Sequence, residues 1–373
     1  MNQLRRKKLV ILLSMALFAA CSNPKVTTYK NVSYDAGFDT VYAYLENTKK
    51  KEEEAKNNFN ESAKLLKYYN NLFDIYHNYP GLNNIKTIND EAGKKAVVVD
   101  KAIIDLLKEA KKFYELSHGE FDITMGATLK LWHQYREEGI ELNKQGKKGA
   151  LPSKAELEAT KAHRGWDKIQ INEEKKTVFI TDPKVSLDVG SIGKGMATEL
   201  VAKAMEKRGV QSGYINVGGN IRTIGSKPNN EPWSIGITDP KGQLTNGLVA
   251  FKKQGNFSFV TSGDYERYYI ASDGKTYSHI IDPKTLFPAN KYRSVTILTA
   301  DSGLADAMST SLFTLSIEDG KKLVERVKKE TGQKIHVVWV MNPDKVQDKN
   351  YTMVGQYAIS YTDGLKDQLT FSK

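Results

Sequence analysis

The segment that most constrains the fold is a glycine-rich turn between an apolar stretch and an amphipathic one. It reads Asp188-Val-Gly-Ser-Ile-Gly-Lys-Gly195, follows an alternating run at 177–181, and precedes a predicted helix at 197–207. A strand, a turn and a helix N-terminus bring backbone N–H groups and the positive end of the helix dipole together, which favours a bound anion. A plain connector would use the same glycines, so this turn alone leaves both interpretations open. Its glycine spacing excludes a Walker A loop and a Rossmann fingerprint.

The first residues of the chain have the layout of an export signal. Four basic residues, Arg5 to Lys8, precede the largely apolar run Leu9 to Ala20, and small residues then lead to Cys21. This apolar run is too short to span a bilayer of about 30 Å as a helix. The pattern therefore predicts a cleaved signal peptide rather than a transmembrane anchor.

Cys21 is the only cysteine, so it has no partner for an internal disulfide. Its place directly after the cleavage site resembles a lipoprotein lipobox, although Phe18 stands where that pattern usually has leucine. We predict a lipoprotein signal peptide over 1–20, lipidation at Cys21, and a tether over 21–30. The folded part is then 31–373, held outside the cytoplasm on the cell membrane by a lipid anchor.

The charge of the chain narrows the class of partner. The formal net charge is +11, and it becomes +7 without residues 1–20, which carry four basic residues and no acidic one. Acidic and basic residues alternate in short runs, and no arginine-rich stripe or aromatic-basic motif is present, so nucleic acid is not a predicted partner. Attraction to an anionic membrane surface or wall polymer explains the balance more simply.

The hydrophobic periodicity predicts an α+β fold. Strand-rich stretches with helices grouped between them favour antiparallel sheets backed by helices over a doubly wound parallel sheet. About 350 residues exceed the size at which a single core stops growing, which predicts two closely packed subdomains. Helices are predicted at 49–76, 101–117, 129–132, 197–207 and 304–315, strands at 32–46, 214–217, 233–237, 248–251, 257–261 and 292–299, and an exposed loop at 143–152.

Six short motifs follow one another along the chain. They are Ser117-His-Gly-Glu-Phe-Asp-Ile-Thr124, the turn 188–195, Asn216-Val-Gly-Gly-Asn220, Thr261-Ser-Gly-Asp-Tyr265, His279-Ile-Ile-Asp-Pro-Lys-Thr285 and Ala305-Asp-Ala-Met-Ser-Thr310. In this order they resemble the motifs of the FAD:protein FMN transferase (ApbE-like) family. Each motif is weak alone, but the ordered set is specific, and a weaker match extends to about residue 38. The resemblance implies a T-fold-like architecture, FAD as a substrate, Mg²⁺ as a cofactor, and a flavin transferase domain over 31–373.

The resemblance also implies roles for individual residues. It assigns the metal ligands to Asp306, Thr310 and the backbone carbonyl of Ser191, and it leaves Asp306 and His279 as candidates for the catalytic base. The implied flavin-binding residues are Phe38, Tyr76, Glu120, Phe121, Asp122, Asp188, Lys194, His279 and Ile280.

The residues themselves allow simpler interpretations of several of these positions. Asp306 and Thr310 share a helix face and could share a cation, but Asp306 could equally cap the helix while Thr310 bonds back to it. Tyr76 could be a core aromatic residue, and Asp122 could be a helix cap. Leu286 stands where the family usually has glycine, which predicts an altered turn.

The predicted function is Mg²⁺-dependent transfer of FMN from FAD to a Thr or Ser hydroxyl of another protein, with release of AMP. The implied acceptors are exported electron-transfer flavoproteins with a Ser/Thr-Gly-Ala-Ser/Thr-like motif. This chain has no such tetrapeptide, which favours modification in trans. A Mg²⁺-dependent FAD pyrophosphatase and a non-catalytic flavin-binding lipoprotein are the alternatives. The Asp306 and Thr310 pair argues against the carrier, which has no need to polarise a pyrophosphate.

Overall fold

A computed structural model describes residues 25–243, 247–346 and 348–372. The predicted signal peptide and Cys21 lie outside these ranges. No helix among the described residues has the length and apolar character needed to cross a membrane. The described chain forms eight α-helices: α1 (Glu52–Phe73), α2 (Ile85–Asp90), α3 (Lys101–Ser117), α4 (Gly126–Lys144), α5 (Lys154–Lys161), α6 (Gly193–Lys207), α7 (Ser302–Thr314) and α8 (Ile317–Thr331).

The strands of the described chain belong to one large sheet and three small ones. The large sheet has nine strands in the order β1-β2-β6-β7-β10-β13-β14-β16-β15, and the small sheets are β11-β12, β17-β9-β8 and β3-β5-β4. The strands are β1 (Thr27–Ser33), β2 (Tyr42–Thr48), β3 (Val97–Val98), β4 (Ile169–Asn172), β5 (Thr177–Ile180), β6 (Gly213–Val217), β7 (Asn220–Ile224), β8 (Trp233–Ile237), β9 (Val249–Lys253), β10 (Ser258–Gly263), β11 (Tyr268–Ile270), β12 (Thr276–Ser278), β13 (Ser294–Thr299), β14 (His336–Met341), β15 (Thr352–Val354), β16 (Tyr357–Tyr361) and β17 (Leu369–Phe371).

Every neighbouring pair in the nine-stranded sheet is antiparallel. Both faces of its central strands are covered, so β13 is buried at all of its positions. Val295 and Ile297 face the helices, whereas Leu298 joins the cluster on the opposite face. A strand buried on both faces shows a continuous apolar run instead of a clear alternation.

Three hydrophobic clusters of the described residues hold the fold together. The largest lies between the nine-stranded sheet and helices α1, α3, α6, α7 and α8, with Leu66, Leu107, Val201, Met308 and Leu323 as buried members from each helix. The second lies between the sheet and the β8-β9-β17 sheet, and the third joins α4 and α5 to the β11-β12 hairpin. The predicted class, antiparallel sheets backed by helices, is confirmed.

The predicted elements differ from the observed ones mainly at the candidate site. The predicted strand 32–46 is wrong, because a loop at 34–41 separates β1 from β2. Within this loop Gly37, Phe38 and Asp39 all have positive φ, and three such residues in a row are incompatible with a regular strand. The helix predicted at 197–207 begins one turn earlier, at Gly193, which places Lys194 inside the helix.

Candidate active site

A buried carboxylate on α7 contacts the first turn of α6. The Asp306 Oδ2 atom accepts a hydrogen bond from the Gly195 N–H at 2.7 Å. Helix α7 is capped by Asp301, whose Oδ1 accepts from the Leu304 N–H at 2.9 Å, so the interpretation of Asp306 as the cap is wrong. Burial raises the pKa of Asp306, while the charge of Lys194 and the Gly195 N–H oppose the increase. A cation beside this carboxylate would therefore stabilise its charged form.

The two helices approach so closely here that Gly195 has no room for a side chain. A Cβ atom at this position would lie 2.2 Å from the Ser302 carbonyl oxygen and 2.5 Å from the Asp306 Cβ. Because the Gly195 N–H bonds to Asp306, it does not bond to the Ser191 carbonyl four residues earlier. Among the described residues we find no donor to that carbonyl. The Ser191 oxygen is thus available to a ligand.

Thr310 completes the set of predicted metal ligands. It lies one turn after Asp306 on α7 and is half-buried, and its hydroxyl has no hydrogen-bond partner among the described residues. The proposed back-bond from Thr310 to the helix is therefore not formed. A carboxylate, a hydroxyl and a backbone carbonyl are hard oxygen ligands of the type that Mg²⁺ prefers, with substrate phosphate and water completing the octahedron. In the described part of the chain, no group of three or more His, Cys, Asp or Glu side chains could hold a metal.

Lys194 connects the α6 turn to two other motifs. Its Nζ atom donates to the Gly218 carbonyl at 3.3 Å. The Gly218-Gly219 turn is left-handed, and the Asn216 side chain accepts from the Gly219 N–H at 3.0 Å. A Cβ atom on Gly218 would lie 2.2 Å from the Thr40 Oγ1 atom, so the loop at 37–40 rests directly on this turn.

Phe38 lies in that loop with an unusual backbone. Its φ of 58° is held by a hydrogen bond from its N–H to the Asn70 Oδ1 atom at 2.6 Å. Its ring is half-buried and packs against the helix-side core. The ring is therefore neither fully buried in the core nor fully exposed.

Backbone hydrogen bonds bring two of the acidic residues to one region. The Asp188 N–H donates to the Ile123 carbonyl at 2.8 Å, and the Gly126 N–H donates to the Ser186 carbonyl at 3.1 Å. The segments that carry Asp122 and Asp188 therefore run side by side. Burial raises the pKa of both carboxyls.

Asp122 closes a local turn instead of capping a helix. Its Oδ1 atom accepts from both the N–H and the hydroxyl of Thr124, at 2.9 and 2.6 Å. Helix α4 begins at Gly126 and is preceded by Met125, so the interpretation of Asp122 as its cap is wrong. In Asp188 the Oδ1 atom accepts from the Gly190 N–H at 2.9 Å, which leaves its other oxygen for a ligand.

Three other residues predicted to bind the flavin, Phe121, Ile280 and Glu120, have side chains that pack against or pair with other residues of the protein. The Phe121 ring is buried in the core with its centroid 5.2 Å from that of Phe113, and Ile280 is buried in the same cluster. Both side chains are therefore closed to a ligand. The buried Glu120 carboxylate pairs with Lys284 and accepts from the Thr314 hydroxyl at 3.5 Å.

His279 has an unprotonated ring nitrogen in the region formed by Lys194, Asp188, Arg136 and Arg267, which is called the cleft from here on. The Arg267 carbonyl accepts from its imidazole, and its buried Nδ1 atom has no hydrogen-bond partner among the described residues. Burial and the charges of Arg136, Arg267 and Lys194 lower the pKa of His279 to about 4. The ring is therefore neutral at pH 7, with Nδ1 as a free acceptor.

Tyr76 is not a core residue. It is 53% exposed, and its ring centroid lies 5.4 Å from that of His133 on α4. Its N–H donates to the Asp74 Oδ1 atom at 2.6 Å, which holds the backbone after α1. Burial and the charge of Asp188 raise the pKa of Tyr76.

The predicted turn at Leu286 keeps the conformation that glycine would adopt. Its φ is 61°, and its side chain is buried in the third cluster. The Trp132 indole N–H donates to the Leu286 carbonyl at 2.7 Å. Burial of the leucine offsets the strain of its left-handed backbone, and the alteration of the turn relative to the family stays a prediction.

Sequence reasoning missed three residues of the cleft, namely His133, Arg136 and Arg267. The pKa values of Tyr76 and His133 are affected by both Arg136 and Arg267, and that of Asp188 by both His133 and Arg136. The one available signal was the i,i+3 spacing of His133 and Arg136 on a helix that follows the 117–124 motif. Arg267 carried no signal, because it lies on an exposed loop that only the fold brings to His279.

Among the described residues, the geometry brings the Lys194 side chain beside the buried Asp306 carboxylate in an α+β fold. The chain matches the ApbE family over residues 34–334. An FAD:protein FMN transferase of Klebsiella pneumoniae is 30% identical over 259 residues, or 69% of this chain and 75% of that protein. One from Vibrio cholerae is 27% identical over 321 residues, or 86% of this chain and 91% of that protein. This chain belongs to the ApbE family, which confirms the resemblance drawn from the six motifs.

Solved structures agree with the fold. The crystal structure of the ApbE protein from Thermotoga maritima is similar with a TM-score of 0.70 and 28% identity, covering 84% of this chain and 94% of that one. The flavin transferase ApbE from Vibrio cholerae has a TM-score of 0.68 at 22% identity, covering 91% of this chain and 97% of that one. At 22% identity, the similarity to the Vibrio cholerae structure shows only that the two proteins share a fold.

Proposed function

We propose that this protein is a Mg²⁺-dependent FAD:protein FMN transferase that modifies a Thr or Ser hydroxyl of an exported acceptor protein and releases AMP. The observation that carries this proposal is the contact of the buried Asp306 carboxylate with the first turn of α6, beside Lys194. Two phosphates joined as a pyrophosphate need positive charge and alignment more than they need a protein nucleophile. The names of the curated relatives support the same activity.

In the proposed reaction the acceptor hydroxyl oxygen attacks the phosphorus of the FMN half of FAD. The bond between that phosphorus and the bridging oxygen breaks, and AMP leaves with the bond's electron pair. Asp306, Thr310 and the Ser191 carbonyl would hold Mg²⁺, which supplies charge neutralisation at the pyrophosphate. Lys194 adds a fixed positive charge from the first turn of α6.

The hydroxyl proton needs an acceptor in the cleft. We assign this role to the Nδ1 atom of His279, because it is unprotonated and has no other partner among the described residues. Asp306 is the weaker candidate, since its Oδ2 atom is already occupied by the Gly195 N–H. The low pKa of His279 makes it a weak base, so this role applies to a proton that leaves as the new phosphoester bond forms.

The location of the protein is proposed from the sequence alone. The lipobox-like segment that ends at Cys21 supports a diacylglycerol anchor on the outer side of the cell membrane. One acyl chain gives marginal binding, and two give stable attachment. Acceptors would then be proteins exported to the same compartment.

The test compares products with and without an acceptor. The protein is incubated with FAD and Mg²⁺, alone or with an exported flavoprotein that carries a Ser/Thr-Gly-Ala-Ser/Thr-like motif, and AMP and protein-bound flavin are measured. A transferase yields AMP and labelled acceptor in equal amounts, and an acceptor with valine in place of the target threonine stays unlabelled. AMP without any acceptor would instead indicate a pyrophosphatase, and no AMP in either arm would indicate a flavin carrier.

A further inference from the structure

Arg136 is a buried cation without a matching anion in the described structure. Its side chain is 11% exposed, and its Nε atom is buried with no hydrogen-bond partner among the described residues. Glu137 lies 3.6 Å from its Nη2 atom, but the glutamate side chain is 57% exposed, so water weakens this pair. A guanidinium removed from water is costly unless an anion binds it in return.

The groups around Arg136 increase the positive charge instead of balancing it. Arg267 lies close enough to lower the pKa of Arg136, and both arginines and Lys194 lower that of His279. The acidic groups that act on this side of the cleft are Asp188 and the exposed Glu137. The charge of Lys194 is balanced by the buried Asp306 carboxylate, so Arg136 and Arg267 are left with one sheltered carboxylate, Asp188. The two arginines therefore retain a positive surplus that a bound anion can offset.

His133 fixes the orientation of the Arg136 guanidinium. The Arg136 Nη2 atom lies 2.6 Å from the His133 Nδ1 atom, and because arginine is only a donor, Nδ1 must accept. His133 is then neutral, in agreement with its lowered pKa. Its ring also packs against that of Tyr76, with the centroids 5.4 Å apart. The guanidinium is thus oriented by the His133 ring, which in turn packs against the exposed ring of Tyr76.

We propose that Arg136, oriented by His133 and assisted by Arg267, binds a nucleotide phosphate of the dinucleotide substrate. This inference rests on the proposed function, since it names a residue that recognises the same substrate. An arginine suits the role because its planar fork of N–H donors matches two phosphate oxygens, and the Nε atom, which has no partner among the described residues, is one of those donors. Arg136 contacts the substrate in this proposal, whereas His133 acts only by positioning it.

The test measures binding without an acceptor, so that it does not depend on transfer. Affinities of FAD, FMN, AMP and riboflavin are determined for the wild type, Arg136→Met and Arg136→Lys. Arg136→Met should weaken FAD binding by about ten- to a hundredfold, and Arg136→Lys by less, while riboflavin, which has no phosphate, binds as before. A loss with AMP or with FMN identifies which of the two phosphates Arg136 binds.

Further variants separate the role in binding from a role in folding. Arg267→Gln changes an exposed side chain and should weaken FAD binding by roughly three- to tenfold. Arg208→Met is the matched control, because this exposed arginine bonds to Asn58 and takes no part in the cleft. His133→Gln keeps an acceptor for Arg136 and should retain most of the affinity, whereas His133→Phe should lose it.

Two results would overturn the inference. One is an unchanged affinity of Arg136→Met for FAD, AMP and FMN. The other is an equal loss for riboflavin, which would make Arg136 a structural residue. Failure of the proposed function has a different signature, since a wild type that binds FAD but never releases AMP leaves the assignment of Arg136 intact. A variant that binds these ligands normally but needs more acceptor protein is a case of the first result and would assign the cation to acceptor binding.

Discussion

At the scale of single residues, the charge of the cleft depends on side chains with few partners of their own. Lys194 donates only to a backbone carbonyl, at 3.3 Å, and has no ion-pair partner among the described residues. Asp306 is buried, and its charged form is stabilised by the Gly195 N–H and by Lys194. Charged side chains that have few hydrogen-bond or ion-pair partners in the free protein are expected to contribute most to substrate binding.

Removing the charge of Lys194 should weaken FAD binding without affecting the fold. Lys194→Ala should bind FAD about ten- to a hundredfold more weakly, because a charge-assisted hydrogen bond is worth roughly 1.5–3 kcal/mol. Lys194→Arg keeps the charge with a different shape and should give an intermediate affinity. Fluorescence titration of FAD checks this, and an unchanged affinity in Lys194→Ala would make the loop a plain connector.

His279 should make the stability depend on pH in the acid range. Its folded-state pKa is about 4 against an ordinary 6.5, so between these values the unfolded chain binds more protons than the folded one. Stability from this source is complete above about pH 6.5 and is lost as the pH falls towards 4. Urea unfolding of the wild type and His279→Gln should therefore give curves that are parallel above pH 7 and converge below it. Parallel curves down to pH 4 would contradict the assignment.

At the scale of elements, the local hydrophobic pattern predicted a helix away from the candidate site better than it predicted the elements that form the site. The helix at 101–117 was predicted to the residue, because apolar residues recur at helical spacing, and in the structure Asp100 caps its start. The strand prediction over 32–46 failed, because the loop at 34–41 is set by Asn70 on α1, which is remote in sequence. The start of α6 was missed for a similar reason, since its first turn is completed by Asp306 on α7.

The crossing of α6 and α7 should tolerate no side chain at Gly195. Gly195→Ala would place a Cβ atom 2.2 Å from the Ser302 carbonyl oxygen, so the helices must separate and move Asp306 away from α6. We expect a loss of roughly 1–3 kcal/mol of stability and a larger loss of activity. Gly193→Ala is the control on the same helix, since its nearest contact would be an ordinary 3.5 Å. Thermal unfolding that is equal in the two variants would contradict the close packing.

At the scale of the whole molecule, motifs from opposite ends of the sequence meet at one cleft. Residue 38, the turn at 218–219 and Asp306 are linked through Thr40, Lys194 and Gly195. The ordered motifs predicted Lys194, His279 and Asp306, since each lies in a recognisable pattern. Arg136 and Arg267 escaped prediction, because their role depends on the approach of α4 to the loop before β11.

Membrane attachment should depend on the single cysteine. The wild type is expected in the membrane fraction, whereas Cys21→Ala should be released or should remain as an uncleaved precursor, because no thiol is left to carry the diacylglycerol. Fractionation and mass spectrometry of the mature N-terminus check this. Cys21→Ser is a conservative companion that should behave in the same way. Normal anchoring of either variant would contradict the lipoprotein prediction.

The most direct test of the account is the effect of Asp306→Asn on AMP release. Asparagine keeps the shape of the side chain, and its Oδ1 atom can still accept from the Gly195 N–H, so the fold should persist. With FAD, Mg²⁺ and acceptor, we expect turnover to fall by about a hundredfold or more while FAD affinity falls much less, because the ion acts mainly on charge that develops in the transition state. EDTA should abolish the wild-type activity. Full activity of Asp306→Asn, or wild-type turnover in excess EDTA, would contradict the account.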